Sequence, residues 1–245
     1  MIGTWGQAFF ARAKSPSTAE KHAVLGAAFA AFLDETPDAA TPHTIFDGFA
    51  GAGVFGDGTL GSPLLLLNWA RERAPARSLR FVFSEADAKN HAQLGAALGE
   101  RGGVSIHLRH TTFELAAASL LAEPEGALFS FVDPYAYEGM RFATLAALAA
   151  RGTLVLHLAS KALYTKLISS NGAGLRQERR MDALLGGAAT WAELGEVVRR
   201  APGDAPGAKA AIADVLRRSL EAVGSECEVQ AVRGGESHVL VARRG

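Results

Sequence analysis

The sequence is poor in cysteine and carries no excess charge of either sign. Its only cysteine is Cys227, which excludes an internal disulfide framework and a cysteine-based metal cluster and fits a reducing, cytoplasmic compartment. Its 25 lysines and arginines balance 25 aspartates and glutamates. No net electrostatic field therefore draws this chain to nucleic acid or to an anionic membrane.

Long hydrophobic runs and several well-known catalytic loops are missing as well. The apolar stretches are diluted by alanine and glycine and fall short of the roughly 18 residues that cross a bilayer. The first residues lack a basic segment ahead of an apolar one, so we expect no signal peptide. No G-x-S-x-G or G-x-x-x-x-G-K-[ST] sequence occurs, which argues against a serine hydrolase and a P-loop NTPase. The histidines show no metal-ligand spacing, and we expect no metal.

What the chain does contain is a regular alternation of strand-like and helix-like segments. Hydrophobic residues make up 49% of the 245 residues, enough for the core of one α/β domain. Five strand–helix units predict a parallel, doubly wound sheet. The strands are expected at residues 45–49, 79–84, 104–108, 127–132 and 153–158.

Three further segments flank these units within a single domain, residues 1–245. Residues 1–43 are expected to form an N-terminal flap and a helix over 19–34, capped by Ser17 or Thr18. Residues 161–222 read as a helical insert or lid. Residues 225–243 contain two strands joined by a short connection, which predicts an antiparallel hairpin.

The first strand leads into a glycine-rich turn within residues 44–63. Asp47 lies inside the strand, and Gly51 and Gly53 follow it. Glycine accepts positive φ and lets a ligand lie against bare backbone, so the turn predicts a site for a nucleotide-like ligand. Continued to Gly56, the spacing also matches the dinucleotide pattern, and a nicotinamide-dependent oxidoreductase is therefore one alternative.

An acidic residue, Glu85, ends the second strand. One carboxylate there can accept hydrogen bonds from two ribose hydroxyls. Glu85 lies further from the glycines than the ~20 residues of the dinucleotide pattern, partly because of the loop at 54–62. The alternative role for Glu85 is to cap the helix that begins near Ala88.

The fourth strand ends in Asp133-Pro134-Tyr135. A polar group at this position can meet both the sulfonium of a methyl donor and the accepting atom, while the proline stiffens the turn and the aromatic ring supplies a stacking wall. The alternative is an ordinary Asp-Pro turn.

Two other strand ends carry candidates of lower weight. Thr112 and Phe113, after the third strand, could contact an adenine ring, although a helix cap made by Thr111 or Thr112 is equally expected. His157 and Lys161 lie at the end of the fifth strand, where either could face substrate, and for each of them a surface or structural role is the expectation.

With these features in place, the chain resembles a class I S-adenosylmethionine-dependent methyltransferase and, more narrowly, the three-Cys-motif partner (TcmP) family. The resemblance rests on residues 47–63, Asp-x-Phe-Ala-Gly-x-Gly-x-Phe-x-Asp-Gly-x-x-Gly-Ser-Pro, on Asp133-Pro134-Tyr135 and on a helix that carries Lys21. It covers most of residues 5–160 and the final hairpin. It implies a Rossmann-like class I methyltransferase fold, a seven-stranded and mostly parallel sheet that ends in an antiparallel hairpin.

The resemblance also implies S-adenosylmethionine as the cofactor. Together with the strand-end residues, it gives a cofactor-binding set of Asp47, Phe49, Ala50, Gly51, Gly53, Glu85, Ala86, Thr112, Phe113, Asp133 and Pro134. It gives Asp133, Tyr135 and Tyr137 as the catalytic set, in which Asp133 orients or deprotonates the acceptor and the tyrosines wall the pocket. Ala136 stands where the family often has glycine, and the double proline of amino-methylating enzymes is absent, so the accepting atom stays open.

For the acceptor, the balanced charge and the helical insert favour a small molecule over an RNA or DNA base. A nucleic-acid acceptor would need a local basic face, which Arg176, Arg179, Arg180, Arg199 and Arg200 could supply. A third possibility is a non-catalytic protein that binds S-adenosylmethionine and acts through a three-Cys-motif partner. No membrane partner is expected.

Overall fold

The secondary structure follows the predicted alternation of strands and helices. The computed structural model describes residues 9–36, 43–99, 104–124, 126–134, 140–169, 193–196 and 205–245, with backbone only at 166–169. The helices are α1 (Pro16–Glu35), α2 (Ser62–Arg73), α3 (Ala88–Leu98), α4 (Phe113–Leu121), α5 (Phe142–Arg151), α6 (Ser160–Ser169) and α7 (Ala205–Glu221). The strands are β1 (His43–Asp47), β2 (Leu79–Ser84), β3 (Ser105–Arg109), β4 (Ala127–Val132), β5 (Gly152–Leu158), β6 (Ser225–Val232) and β7 (Ser237–Arg244).

All seven strands belong to one sheet, in the order β3-β2-β1-β4-β5-β7-β6. The pairs formed among β1 to β5 are parallel, whereas β7 runs antiparallel to both β5 and β6. This order and the terminal hairpin confirm the predicted Rossmann-like class I methyltransferase fold. They also differ from the dinucleotide-binding order 3-2-1-4-5-6, in which the sixth strand directly follows the fifth.

The sheet is covered by helices on both faces, because its strands alternate apolar side chains between the two sides. Helices α1, α2 and α3 pack on one face, against fully buried residues such as Ile45, Phe81 and Phe129. Helices α4, α5, α6 and α7 pack on the other face, around Phe46, Leu128 and the neighbouring residues of that cluster. We call the first of these surfaces the α1 face.

Several element boundaries differ from the expectations. The cap of α1 is Ser15, whose Oγ accepts a hydrogen bond from the Thr18 N–H at 3.2 Å, and Pro16 then occupies the first helical position. Strand β1 ends at Asp47 rather than at Phe49, so the glycine turn begins two residues earlier than expected. Within the predicted insert at 161–222, the structure describes residues 161–169, a helical stretch at 193–196 and α7.

No helix within the described part of the chain is long and apolar enough to span a lipid bilayer.

Candidate functional site

The candidate site lies where β1, β2, β4 and β5 end, at the carboxyl edge of the sheet. The chain reverses its direction of winding between β1 and β4, which are paired neighbours although β2 and β3 intervene in sequence. In open α/β sheets, ligands bind outside the strand ends at such a switch point. Strand register determines which side chains meet at this edge.

Register explains how an aspartate and a histidine far apart in sequence come together. Asp47 pairs with Phe131, and Phe131 pairs with Val155. Phe131 and Val155 both point to the α1 face. Two residues further on, Asp133 and His157 fall on that same face because side chains repeat every second residue along a strand.

Asp133 is held from two sides at this position. The His157 Nδ1–H donates to Asp133 Oδ1 at 2.7 Å, and the Lys21 ammonium donates to Oδ2. Burial by itself raises the pKa of Asp133, but the charges and hydrogen bonds of Lys21 and His157 outweigh it and hold that pKa below its usual range. Asp133 is therefore a carboxylate over the whole physiological pH range.

Lys21 reaches Asp133 because it belongs to the buried face of α1. The buried positions Thr18, Lys21, Leu25, Phe29 and Phe32 recur at intervals of three or four residues, as one face of a helix requires. The C-terminal part of this face is apolar and packs on the sheet. Its first two turns pass beyond the strand ends and carry polar residues instead.

His22, beside Lys21, is also buried, with 5% of its surface exposed. Burial and the adjacent positive charge of Lys21 lower the pKa of His22 to about 3, so its imidazole is neutral at physiological pH. Its Nδ1 has no hydrogen-bond partner among the residues that the structure describes. A buried polar atom without a partner is uncommon in proteins and is often associated with a ligand or a bound water.

Glu85 joins the end of β2 to the glycine turn. Its Oε2 accepts a hydrogen bond from the Gly51 N–H at 2.8 Å, and its Oε1 accepts one from the Asp87 N–H at 2.7 Å. Burial raises the pKa of Glu85 above its ordinary value, although the two N–H donors oppose that effect. The cap of α3 is Asp87, which accepts hydrogen bonds from Lys89 and Asn90, so the capping role considered for Glu85 is filled by its neighbour.

Asp47 lies beneath this corner and has no exposed surface. Its Oδ1 accepts a hydrogen bond from the Phe49 N–H at 3.1 Å, whereas no group in the described ranges meets hydrogen-bond geometry at Oδ2. The Ser62 hydroxyl is near enough to lower the pKa, but burial dominates and raises the pKa of Asp47 to about 7. The buried carboxyl is therefore partly protonated at neutral pH.

A cavity of about 210 Å³ opens between α1, the glycine turn and the strand ends. Its polar wall is formed by Thr18, Lys21, His22, Ser62, Asp133 and His157, and its aromatic wall by Phe9, Phe10, Phe49 and Phe55. The cavity thus combines a fixed carboxylate, an ammonium group and two imidazoles with a largely apolar enclosure.

The other predicted site residues are distributed around this corner. Phe49 and Pro134 line the cavity. Phe113 is buried and stacks on Phe49, with ring centroids 5.2 Å apart, so it supports the turn from within the core. Thr112 is the N-cap residue of α4 and makes no side-chain capping bond.

Three predicted residues are backbone neighbours of the turn and of Glu85. Ala50 is buried, and its N–H donates to the Ser84 carbonyl at 2.9 Å, which ties the turn to β2. The Ala86 carbonyl lies 3.2 Å from Nε2 of His110. Gly53 has a φ of 78°, and a Cβ there would lie 2.7 Å from Leu94. Tyr135 and Tyr137 lie outside the described residues, so their predicted role stays a prediction.

Three groups of the site were not predicted as site residues: Lys21, His22 and His157. Lys21 was noted only as part of the family resemblance, and a surface or structural role was expected of His157. A signal for the first two was present, because Lys21 and His22 continue the apolar face of α1 with polar side chains. His157 could be found only from the register of β4 and β5, which the sequence does not display.

Comparisons with known proteins give weak likenesses. No protein-family model and no curated protein matches the sequence. Among solved structures, protein LPL1258 from Legionella pneumophila is 14% identical, with 68% of this chain and 73% of that chain covered and a TM-score of 0.45.

Two further structures cover more of the chain. The N-methyltransferase NodS from Bradyrhizobium japonicum, solved with S-adenosyl-l-homocysteine, is 12% identical over 94% of this chain and 89% of its own, with a TM-score of 0.44. The cyclopropane synthase MmaA2 from Mycobacterium tuberculosis is 13% identical over 99% of each chain, with a TM-score of 0.37. The fold assignment accordingly rests on the strand order and strand directions of this chain itself.

The corner has the features that S-adenosylmethionine, the cofactor implied by the resemblance, would need. Gly51 has a φ of 65°, and its Cα carries no side chain toward the site. Glu85 is a buried carboxylate fixed against the same glycine. Asp133 lines the cavity together with Phe49 of the glycine turn. These residues fit the group.

Proposed function

We propose that the protein is an S-adenosylmethionine-dependent methyltransferase that acts on a small-molecule acceptor. The observation that carries the proposal is the contact between the Glu85 carboxylate and the Gly51 N–H at the switch point of a methyltransferase-type sheet. This hydrogen bond connects the carboxylate that is expected to bind the ribose with the glycine backbone that is expected to hold the rest of the donor. S-adenosylmethionine, when bound, would supply a methyl group already activated on a sulfonium.

In this proposal the residues divide into a binding group and a transfer group. The backbone from Asp47 to Gly53 holds the methionine side of the donor, and Glu85 holds the ribose. Both Glu85 oxygens retain lone pairs beyond the ones that accept from Gly51 and Asp87. Lys21, Asp133 and His157, which line the cavity, form the transfer group.

The state of Asp133 favours an orienting role over that of a base. A carboxylate paired with both Lys21 and His157 has a lowered pKa and holds protons weakly. It can still accept a hydrogen bond from an N–H or O–H of the acceptor and so fix a lone pair in line with the methyl group. The rate gain expected from this chain is then chiefly alignment and exclusion of water.

The composition of the cavity favours a small acceptor. Phe49 and Phe55, which belong to the glycine turn and the loop after it, give the cavity an apolar wall beside Asp133, and this suits a partly apolar molecule. The arginines considered for a phosphate-binding face, Arg176, Arg179, Arg180, Arg199 and Arg200, all lie outside the described residues. A nicotinamide-dependent oxidoreductase is not proposed, because the antiparallel β7 beside β5 departs from the dinucleotide-binding sheet.

The test is calorimetric titration of the purified protein with S-adenosylhomocysteine, followed by a transfer assay. Glu85→Gln keeps the shape of the side chain and removes its charge, and we expect it to weaken binding roughly tenfold or more. The control is Glu123→Gln, which alters a carboxylate paired with Arg80 near the start of β2. This change should leave the affinity unchanged.

Transfer is then followed by mass spectrometry of small-molecule extracts incubated with the protein and S-adenosylmethionine. A product heavier by one methylene is expected with the wild-type chain, and we expect Asp133→Asn to bind the donor yet form no product. Failure of the wild-type chain to bind S-adenosylhomocysteine at millimolar concentration would overturn the proposed function.

A further inference from the structure

A short N-terminal segment, residues 9–14, crosses the glycine turn on the side where the donor is expected. We call it the strap. The Gly56 N–H donates to the Arg12 carbonyl at 3.0 Å, and the Lys14 N–H donates to Asp57 Oδ2 at 3.2 Å. The strap then enters α1 at its cap residue, Ser15.

Aromatic rings hold the other end of the strap. Phe10 lies against Phe55 with ring centroids 5.1 Å apart, and Phe9 meets both rings edge-on at 5.4 and 5.6 Å. Phe9 is 36% exposed, whereas Phe10 is more deeply buried. Phe10 is therefore the ring that the strap inserts.

The place into which Phe10 inserts is the bare face of Gly51. A Cβ built on Gly51 would lie 2.1 Å from the tip of the Phe10 ring, and the three atoms nearest to that point all belong to Phe10. The ring is thus in van der Waals contact with the glycine Cα, because a Cβ lies only one bond length from it. Gly51 is the same residue whose N–H is held by Glu85.

We infer that Phe10 occupies part of the donor site, so that the strap and S-adenosylmethionine compete for the face of Gly51. The inference rests on the proposed function, because it takes this face as the donor cradle. Two solid groups cannot share one van der Waals surface, so a donor seated on Gly51 displaces the ring. Ser15 stays bonded to Thr18, so the strap can swing away while α1 keeps Lys21 on Asp133.

Competition between the strap and the donor predicts the direction in which the dissociation constant of the donor changes when the strap is weakened. The measured dissociation constant equals the intrinsic constant divided by the fraction of molecules whose strap is open. A change that removes the Phe10 ring raises that fraction and must tighten donor binding. If Phe10 were instead a wall of the donor pocket, the same change would weaken binding, because a contact would be lost.

The experiment is calorimetric titration with S-adenosylhomocysteine of the full chain and of Phe10→Ala. The expected result is a dissociation constant that falls by roughly tenfold in Phe10→Ala, since about 1.4 kcal/mol of ring packing no longer opposes the ligand. The matched control is Phe9→Ala, which removes the other aromatic ring of the strap. It should tighten binding less than Phe10→Ala does. Asp57→Ala, which removes the contact to the Lys14 N–H without touching Gly51, should also tighten binding.

Hydrogen–deuterium exchange supplies a second readout that does not depend on the variants. Donor binding should speed exchange of the Gly56 amide, because its partner, the Arg12 carbonyl, leaves with the strap. Slower exchange there on addition of S-adenosylhomocysteine, or an equal or weaker affinity in Phe10→Ala, would overturn the inference and leave the proposed function standing. Absence of binding by both chains would overturn the proposed function and this inference with it.

Discussion

Burial of a single carboxyl group, that of Asp47, couples the stability of the protein to pH. The pKa of Asp47 is about 7 in the folded chain, against an ordinary value of 3.8. The folded state therefore binds the proton more tightly than the unfolded state, and the free energy of unfolding falls as pH rises from about 4 to about 7. The shift corresponds to a loss on the order of 4 kcal/mol.

Asp47→Asn should remove this loss, because the amide keeps the oxygen that accepts from the Phe49 N–H and carries no charge. We expect the variant to be more stable than the wild-type chain at pH 8 and about equally stable at pH 4. Urea denaturation at the two pH values measures both differences. An equal difference at pH 4 and pH 8 would contradict the assignment of the shifted pKa to Asp47.

The ion pair between Lys21 and Asp133 gives a second prediction at this scale. Lys21→Met leaves the Asp133 carboxylate buried with His157 alone, and loss of one partner of a buried pair costs about 3–5 kcal/mol. The double change Lys21→Met with Asp133→Asn should recover part of that cost, because the uncompensated charge is gone. Urea denaturation of the single and double variants yields the coupling free energy between the two residues.

Lys161→Met is the control for this cycle. Lys161 pairs with Glu236 at 2.8 Å, but its side chain is 60% exposed and solvent screens the interaction. No measurable change in stability is expected. A coupling near zero between Lys21 and Asp133 would show that their contact does not hold α1 to the strand end.

At the scale of elements, the junction of α5 and β5 depends on a glycine, Gly152, at a position where no side chain fits. α5 ends at Arg151 and β5 begins at Gly152, without a linker. A Cβ at Gly152 would lie 2.0 Å from the Leu128 carbonyl oxygen of the neighbouring strand. Since that atom belongs to a paired backbone, it cannot move aside without breaking the register of β4 and β5.

Gly152→Ala should consequently lower the free energy of unfolding by about 1–3 kcal/mol, the usual cost of overpacking. Gly195→Ala is the matched control, because no described atom lies within 4 Å of a Cβ at that position. Thermal denaturation of the two variants compares them directly. An unchanged midpoint for Gly152→Ala would mean that the start of β5 can shift.

For the whole molecule, the transfer group depends on how α1 docks on the sheet. Phe29 of α1 meets Phe129 of β4 with ring centroids 5.0 Å apart, and both rings are fully buried. Phe29→Ala should cost about 3–5 kcal/mol and should raise hydrogen exchange along α1. Leu145→Ala, in the core of the opposite face, should also lower stability without selectively raising exchange in α1. Equal exchange profiles for the two variants would contradict a specific role for α1 docking.

Much of this architecture could be predicted from local patterns. The bounds of β2 and β4 were predicted correctly, because apolar runs and turn residues mark them in the sequence itself. The terminal hairpin was predicted correctly as well, and it ends one residue later than expected, at Arg244. The ligand-binding role of the glycine turn and Glu85 stays a prediction, and the structure joins the two through one hydrogen bond.

The sequence by itself determined which segments form the five parallel strands and, to within two residues, where they end, and therefore which segments reach the carboxyl edge of the sheet. Tertiary structure alone decided that Lys21, Asp133 and His157 form one cluster and that Phe10 covers Gly51. Such contacts depend on strand register and on the direction in which α1 crosses the sheet. Both are set by packing between segments that are distant in the sequence, from 24 residues for Asp133 and His157 to 112 residues for Lys21 and Asp133, and a local pattern carries no record of them.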